Sequence, residues 1–562
     1  MWRRAGIKTP VKVSPWLVRV LAYVVLSAWL TWPALAGLGR AVPGAERTDI
    51  WNSLWSLWFF QHTLASGPSP ITDLINFPDG GVLVVADPVN ALFAVPLVPL
   101  LGLPMTYTLL VLAQLTLAGL VAHTFAEELL LDRDGTVPLA TGWIAGVGFA
   151  SAPILLSGVH NGTSESFAGG WAALAVWLCW RAARLGGRRR ITAAVMGLLV
   201  ASLSSWYTGA VCFFFAAALL LAPPASRWGR RLGARAAVLG FGVLAVAPFA
   251  ALVSWAAKHP DNLVRIKGGR ELAGLRRSTG AADIVGYFAA GDFRSPDFRV
   301  LSRYGEAFIH CHYIGYVLLV GAMMALSRPG ARRQAFLWLG GAVGFVLSLG
   351  PVLVRGGQPL ILWTDRVIPL PYFLVEWAPG FSSLSLIYRL AMAPALACAL
   401  LAAAGFAGRR YSPLVPALIL LECALLSPLH GLPETTTAVL GAPFSVLHDA
   451  PEGAVMNFPV VGGRPYLYEQ TVHEKPITDT INFPNNATSR RVWATMLESA
   501  ARKPADFRAT VGSVARREGV RYLVVHRDEE ARPDMHDLAV RAVEGAFEPL
   551  AEDAAVQVYK LW

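Results

Sequence analysis

Charged residues are scarce in this sequence. They make up 15% of its 562 residues, while hydrophobic residues make up 55% and the mean hydropathy is +0.48. A soluble fold of this length could not bury so much apolar surface, so an ordinary soluble enzyme is excluded. Apolar runs of roughly 18 residues or more recur along the chain, which is the length that a helix needs to cross a bilayer. These runs are continuous, whereas a membrane β-barrel would show alternation.

Cysteine and the common catalytic motifs are also scarce. The five cysteines are Cys179, Cys212, Cys311, Cys398 and Cys423. Four of them lie inside apolar runs, so neither a disulfide framework nor a Cys-x-x-Cys metal site is expected. The sequence has no Walker loop, no Gly-x-Gly-x-x-Gly motif in a nucleotide-binding context, no His-Glu-x-x-His and no Gly-x-Ser-x-Gly. These absences argue against ATP-driven transport and against the common soluble hydrolases.

The formal net charge is +11. The arginines that produce it stand in short clusters between apolar runs, where they indicate membrane orientation rather than nucleic-acid binding. The pattern predicts a polytopic α-helical membrane protein with a cytoplasmic N-terminus, an uncleaved first span and an extracytoplasmic C-terminus. We expect about eleven spans, near residues 15–37, 105–130, 137–158, 167–183, 191–204, 207–222, 234–257, 313–327, 334–350, 388–408 and 412–428.

The first external loop, residues 38–104, is predicted to carry two helices that lie along the membrane surface. Residues 50–64 place three tryptophans at helical i, i+4, i+7 spacing, as in a helix that lies in the headgroup zone. The run 89–103 contains prolines and is marginal in length for crossing, so we interpret it as a half-buried juxtamembrane helix.

A second external loop, about residues 258–312, is strongly basic. Long loops cross the membrane regardless of their charge, so these basic residues need another explanation, and an anionic ligand is one. They are Lys258, Arg265, Lys267, Arg270, Arg276 and Arg277.

From residue 431 the sequence becomes polar, and residues 431–562 are long enough for a small extracytoplasmic α/β domain, which leaves residues 1–430 as the membrane module. The motif Ile-Thr-Asp-x-Ile-Asn-Phe-Pro occurs at 71–78 in the first loop and again at 477–484 in this domain. The two copies could face a shared ligand, or they could be two turns of coincidentally similar sequence. We expect strands at 455–461, 522–526 and 555–561, and helices at 489–503, 505–517 and 535–546.

Asp49 is the first candidate for catalysis, since it stands with Glu46 between the first apolar run and the tryptophan-rich segment. A carboxylate at the mouth of a membrane bundle could accept a proton from an attacking hydroxyl group, and partial desolvation would make it a stronger base. Thr48 and Asp49 also stand where a helix N-cap is expected, and capping is the alternative role.

Two polar turns between spans could reach a ligand on the outer side of the bundle. The first contains His160 and Glu165, and its alternative interpretation is an exposed turn with a helix cap. The second, residues 204–209, contains Trp206 and Tyr207. It would dip below the outer surface, where polar backbone is tolerated only if it lines a cavity or packs in protein.

The outer ends of two later spans supply the remaining candidates. Glu306 and His310 could contact a ligand, but the His310-x-His312 pair is a weak metal signal because helical neighbours at i and i+2 do not face each other. Arg389 is placed to bind a lipid phosphate through paired hydrogen bonds, or to act as an interfacial anchor. Glu422 lies within the last span and must face protein or a cavity, but its sequence context indicates no role.

These features together resemble the GT-C superfamily of multi-pass membrane glycosyltransferases, in particular a bacterial branch of it. The shared features are the long first external loop with an acidic residue and two interfacial helices, the polar turn at 160–165, and a C-terminal extracytoplasmic domain. The resemblance extends over nearly the whole chain. It includes similar short stretches at 49–52, 205–207, 313–316, 349–351, 369–372, 388–389, 468–473 and 519–522.

The resemblance implies an inverting glycosyltransferase of the bacterial inner membrane. Its donor would be a sugar on a polyprenyl phosphate, and its acceptor a cell-envelope glycan, a lipid or a protein. Asp49 would be the base that activates the acceptor hydroxyl group, while arginines of the basic loop and Arg389 would bind the donor phosphate. A divalent cation is the one cofactor left open, and no nucleic acid is expected.

Two other functions stay open from the sequence. A non-catalytic protein of the same fold could bind or translocate a lipid-linked glycan. A proton-coupled transporter would need ionisable groups buried at mid-membrane, where Glu422 is nearly alone. The sequence departs from the superfamily pattern in two places, because Glu46 and Asp49 stand apart and Glu165 replaces the more usual aspartate.

Overall fold

The protein is mostly α-helical, and its C-terminal part adds a four-stranded sheet flanked by helices. A computed structural model describes residues 14–562 except 68, 85–86, 132–136, 139, 223–231, 265–268, 279, 290–298, 302–306, 329–330, 357, 363–365, 379–380, 382–383, 427–432, 460–463, 482–485, 503 and 528–534.

The helices of the first part follow the apolar runs, and short strands occur only in the loops between them. The helices are α1 (Pro15–Leu30), α2 (Trp32–Ala36), α3 (Ile50–Ser66), α4 (Pro88–Ala94), α5 (Val98–Leu101), α6 (Leu103–Leu130), α7 (Thr141–Ala150), α8 (Pro153–His160), α9 (Ser164–Phe167), α10 (Gly169–Leu185), α11 (Arg188–Ser204), α12 (Trp206–Leu221), α13 (Leu232–Lys258), α14 (Gly269–Arg276), α15 (Tyr316–Leu326), α16 (Ala335–Ser348), α17 (Tyr372–Val375), α18 (Met392–Phe406) and α19 (Val415–Leu426). The strands are β1 (Ala41–Pro43), β2 (Ile71–Thr72), β3 (Gly81–Val82), β4 (Arg299–Leu301), β5 (Ala307–Ile309), β6 (Val354–Arg355), β7 (Gln358–Pro359), β8 (Ile361–Leu362) and β9 (Arg366–Val367).

Four helical segments of the described residues are long and apolar enough to cross a membrane: Leu103–Leu130, Thr141–His160, Leu232–Lys258 and Ile387–Phe406. Five shorter apolar helices accompany them. Of the most apolar part of Leu232–Lys258 only 17% is buried in the protein, against 94% for Ile387–Phe406. The first helix therefore lies on the outside of the bundle and the second at its centre. Every span expected from the sequence coincides with helical residues, while the number of eleven stays a prediction.

Glu422 on α19 has a structural role that was not expected. Its carboxylate accepts hydrogen bonds from Tyr313 Oη at 2.7 Å, from Val317 N at 3.0 Å and from the backbone of Tyr316. Because α15 begins at Tyr316, this acid of another helix satisfies N–H groups that have no partner inside the first turn.

We expect Glu422→Ala to lower the melting temperature of the detergent-solubilised protein. The partly buried N–H groups at the start of α15 would lose their acceptor, at a cost below the about 1–3 kcal/mol of a fully buried unsatisfied group. Glu422→Gln keeps one acceptor oxygen and should lose less stability. Leu425→Ala is the control, since Leu425 on the same helix is 63% exposed. If Glu422→Ala has the same melting temperature as this control, the capping role is wrong.

The C-terminal domain is built on a four-stranded sheet of order β11-β12-β14-β13, in which β11 and β12 are parallel and the other pairs antiparallel. The three strands and three helices expected there are present, while α20, α21 and β13 were not expected. The elements are β10 (Thr435–Thr437), α20 (Ala442–Asp449), β11 (Ala454–Phe458), α21 (Arg464–His473), α22 (Ala487–Arg502), α23 (Phe507–Arg517), β12 (Val520–His526), α24 (Met535–Ala546), β13 (Pro549–Glu552) and β14 (Val556–Lys560).

Helix α3 joins the bundle to this domain. The ring of Trp51 stacks on Tyr468 of α21 with 5.1 Å between centroids, and Trp55 Nε1 donates to Gln470 Oε1 at 2.8 Å. Trp58 is also buried. The expected helix is therefore present, but the expectation that its tryptophan face lies among headgroups is wrong. That face packs on α21, a helix that was not predicted from the sequence.

The two copies of the repeated motif contact each other across the same interface. Backbone hydrogen bonds run from Phe77 N to Ile477 O at 3.0 Å, from Asn76 N to Asp479 O at 2.8 Å, and from Ile477 N to Leu74 O at 2.9 Å. The repeated motif therefore holds the first external loop against the C-terminal domain.

Candidate functional site

Asp49 lies at the start of α3, where the bundle meets the C-terminal domain. It occupies the N-cap position of the helix, but its carboxylate makes no capping hydrogen bond to the backbone of α3. The carboxylate contacts neighbouring side chains instead. Oδ1 accepts a hydrogen bond from Asn52 Nδ2 at 3.1 Å and forms an ion pair with Arg464 Nε at 3.1 Å. The Asp49 side chain is 28% exposed, so solvent reaches it.

The polar turn after α8 packs against this helix start. Gly162 has a φ of 63°, and a Cβ atom on it would lie 2.4 Å from Cα of Ile50, so the close approach requires glycine. Asp49 N donates to Asn161 O at 3.1 Å. The Asn161 side chain exchanges two hydrogen bonds with the backbone of Ile309, at 2.8 and 2.9 Å. The turn thus connects α3, α8 and β5.

Glu165 on α9 forms an ion pair with Arg389, which lies in the turn that leads into α18. The Oε1–Nη1 distance is 2.6 Å, and the two side chains are 25% and 7% exposed. The guanidinium group also lies 5.2 Å from the ring centroid of Tyr207. The hydroxyl oxygen of Tyr207 accepts hydrogen bonds from the backbone N–H groups of Ser385 and Leu386. The arginine is therefore held by a carboxylate and by an aromatic ring.

Asp87, in the first external loop, is a buried acid next to this ion pair. Its oxygens accept hydrogen bonds from Asn90 N at 3.1 Å and Asn90 Nδ2 at 2.7 Å, and from Ser164, which precedes Glu165. Burial raises the pKa of Asp87 to about 7; the hydrogen bonds oppose this shift, and the charge of Glu165 adds to it.

The raised pKa of Asp87 predicts a stability that falls as pH rises. Between the ordinary carboxyl pKa of about 4 and about 7, the native state keeps a proton that the unfolded chain has lost. The free energy of unfolding therefore decreases across this window, by at most about 1.4 kcal/mol per pH unit. We expect the melting temperature of Asp87→Asn to fall less than that of the wild type between about pH 5 and pH 8.

The control for this measurement is Asp449→Asn, which changes an exposed acid at the end of α20. It should keep the pH dependence of the wild type. Equal slopes of melting temperature against pH in the wild type and in Asp87→Asn would contradict the prediction.

The two histidines proposed from the sequence lie near the acids. His160 is buried at the end of α8. His310 stacks on Tyr388, beside the paired arginine, with 4.2 Å between ring centroids. His312 instead approaches Asp283 O at 2.7 Å, so the His-x-His pair does not converge. The described residues contain no group of three or more His, Cys, Asp or Glu that could hold a metal ion.

Other residues proposed from the sequence lie elsewhere or are not described. The ring of Trp206 packs on Phe249 of α13 at 5.4 Å, and Glu46 is exposed. Arg270 belongs to α14, but its side chain is outside the described part of the protein. Arg265, Lys267 and Glu306 also lie outside the described residues.

Two arginines of the basic loop bind other loops. Arg276 Nε donates to Leu384 O at 2.6 Å and its Nη2 to Phe381 O at 3.3 Å. Arg277 pairs with Glu376 at 3.1 Å. These contacts tie residues 372–387 to α14, an explanation for two of the basic residues that needs no anionic ligand.

Asp87 and Arg464 were not predicted from the sequence. The dipeptide Asp87-Pro88 before an apolar run is a helix-start signal that could have drawn attention to the acid. Arg464 offers no comparable signal, because its partner Asp49 is distant in the sequence.

The chain is similar in structure to solved GT-C glycosyltransferases. Arabinofuranosyltransferase AftD from Mycobacteria, a mutant solved by cryo-electron microscopy, matches 97% of this chain with 16% identity and a TM-score of 0.58 in one particle class. In another class it matches 98% with 15% identity and a TM-score of 0.55. This chain spans 41% of the length of AftD.

The archaeal oligosaccharyltransferase of Archaeoglobus fulgidus, tethered to an acceptor peptide, matches 91% of this chain and 69% of its own chain with 12% identity and a TM-score of 0.48. No protein-family model and no curated protein matches the sequence. At these identities the similarity to AftD establishes the fold alone. The chain has the GT-C fold, as the sequence resemblance predicted.

Proposed function

We propose that this protein is an inner-membrane glycosyltransferase that moves a sugar from a polyprenyl-phosphate donor to an extracytoplasmic acceptor. The observation that carries the proposal is the partly exposed carboxylate of Asp49. The backbone of Asp49 is bonded to the turn 160–165, which also carries Glu165, the partner of Arg389. The fold shared with an arabinofuranosyltransferase supports glycosyl transfer in general.

Asp49 acts as the general base. It takes the proton of the acceptor hydroxyl group while the oxygen attacks the anomeric carbon from the side opposite to the phosphate. The new carbon–oxygen bond forms as the bond from the anomeric carbon to the phosphate oxygen breaks, so the configuration at the anomeric carbon inverts. Polyprenyl phosphate leaves, and the new negative charge is on its phosphate oxygen. The contacts with Asn52 and Arg464 hold the carboxylate in one orientation before the acceptor arrives.

Arg389 stabilises the departing phosphate. Its side chain is 7% exposed, and among the described residues its Nε has no hydrogen-bond partner. This N–H group is therefore available to donate to a phosphate oxygen of the lipid-linked sugar. A planar guanidinium can bind Glu165 and a phosphate oxygen at the same time, because its five N–H donors point in different directions.

Each of the two acids is paired with an arginine through one oxygen. The mechanism assigns proton transfer to the carboxylate of Asp49 and charge stabilisation to the guanidinium of Arg389.

The test is a transfer assay with the full chain in lipid nanodiscs. A panel of radiolabelled polyprenyl-phosphate sugars is incubated with bacterial membrane extract as the source of acceptor, and nucleotide sugars serve as the control donors. We expect labelled product and release of polyprenyl phosphate from at least one lipid-linked donor, and none from the nucleotide sugars. Donor binding without product across the panel would favour a protein that binds or translocates a lipid-linked glycan.

A further inference from the structure

Arg464 belongs to the C-terminal domain, yet its side chain reaches the proposed base in the membrane module. It is the first residue of α21, and its Nε lies 3.1 Å from Asp49 Oδ1. The guanidinium group also lies 5.2 Å from the ring centroid of Phe308 on β5, and the side chain is 20% exposed. Arg464 is thus held between α3 and the end of the basic loop.

We propose that Arg464 is a positioning residue of the transfer site, so that the C-terminal domain completes this site rather than only covering it. The proposal rests on the function proposed above, in which Asp49 is the base. Arg464 acts through Asp49 by orienting its carboxylate and by favouring its ionised form.

The geometry explains why an arginine suits this position. A carboxylate on a short side chain turns about its terminal bond unless partners hold it. Asn52 approaches Oδ1 from the same helix, and Arg464 approaches the same oxygen from α21, so the two contacts hold this oxygen in place. A cation at this distance also favours the charged form of a carboxylate.

The other charged or titratable groups on the elements around Asp49 would be unchanged by a substitution of Arg464. They are Glu46 and Arg47 on the loop before α3, His62 on α3, Asp87 at the start of α4, His160 at the end of α8, Glu165 on α9, His310 after β5, and Glu469 and His473 on α21.

The C-terminal domain is held to the bundle by contacts that do not involve Arg464. They include the stacking of Trp51 on Tyr468, the hydrogen bond from Trp55 to Gln470, and the backbone bonds between the two copies of the repeated motif. A substitution of Arg464 should therefore leave the domain docked, and its effect on transfer can be separated from an effect on folding.

The test compares Arg464→Met, Arg464→Lys and the control Arg491→Met, with kcat and KM measured across pH. Arg491 belongs to the same domain and pairs with Glu518 at 2.6 Å, with 51% of its side chain exposed. We expect Arg464→Met to lower kcat about tenfold and to move the acid limb of the pH profile up by about one pH unit, because the carboxylate protonates more readily without the cation. Arg464→Lys should keep the wild-type acid limb but not the full kcat, and Arg491→Met should match the wild type.

A pH profile of Arg464→Met identical to that of Arg491→Met would overturn the inference, even if kcat fell, since a purely structural role would leave the profile unmoved. If the methionine variant does not fold, Arg464→Lys decides, and a kcat equal to that of the wild type would overturn the inference. Asp49→Asn separates the two proposals. If Asp49→Asn is inactive and Arg464→Met normal, only the role of Arg464 fails. If Asp49→Asn is active, both the role of Asp49 as the base and the role of Arg464 are wrong.

Discussion

Asp49→Asn is expected to lower the rate of sugar transfer by about 10²–10⁴-fold, the contribution that a positioned general base typically makes. The amide cannot take the proton of the acceptor hydroxyl group. It has nearly the same size, and its carbonyl oxygen can still accept hydrogen bonds from Asn52 and Arg464 in the place of Oδ1. The loss should therefore appear in kcat, with the melting temperature and donor binding close to those of the wild type.

The measurement is the initial rate of product formation at saturating donor, with donor binding measured separately. Asp73→Asn is the matched control, because Asp73 is an exposed acid of the same external loop. A rate of Asp49→Asn within a few-fold of the wild type would exclude Asp49 as the base and would favour a protein that only binds the glycan lipid.

Arg389→Gln is expected to have the largest effect on stability. It removes the partner of Glu165 and the cation over the ring of Tyr207. Breaking a buried ion pair by removing one partner typically costs about 3–5 kcal/mol. We expect the lower end of this range, because the Glu165 side chain is 25% exposed and solvent can reach the carboxylate that is left behind.

The double variant Glu165→Gln/Arg389→Gln separates the ion pair from phosphate binding. It leaves no uncompensated charge, so it should be more stable than Arg389→Gln alone, with a coupling energy of about 1–3 kcal/mol in the double-mutant cycle. Arg389→Gln should raise the KM for the donor, and the double variant should show the same raised KM. Glu165→Gln alone keeps the arginine and should bind the donor as the wild type does. Additive losses of stability would contradict the ion pair, and an unchanged donor KM in the double variant would contradict the role of Arg389.

Local patterns were sufficient for most helices and strands. The continuous apolar runs at 105–130 and 234–257 correspond to α6 and α13, because hydrocarbon offers no partner for an open backbone. In the C-terminal domain, the helix expected at 505–517 and the strand expected at 522–526 correspond to α23 and β12. Gly519, between α23 and β12, has a positive φ. A glycine just after a helix is a local signal that the helix ends there.

Helix α21 shows why part of the candidate site could not be predicted. Its buried residues include Tyr468 and Gln470, which pack on α3 rather than on a core within the same domain. A polar residue that is buried at an interface looks like a surface residue in the sequence. The helix was therefore missed, and with it the pairing of Arg464 with Asp49.

The sequence by itself determined that the chain is a helical membrane protein with a polar C-terminal part, and it singled out Asp49, Glu165 and Arg389 because charged residues are rare at the edge of a membrane bundle. Only the tertiary structure decided which of these charges pair, that Asp87 is buried near Glu165, and that α21 brings Arg464 to Asp49. The physical reason is the sequence separation of the residues involved. Apolar length and helical periodicity depend on neighbours in the chain. Ion pairs and domain docking join distant residues, and the entropy cost of closing the loop between them is offset only when the whole fold forms.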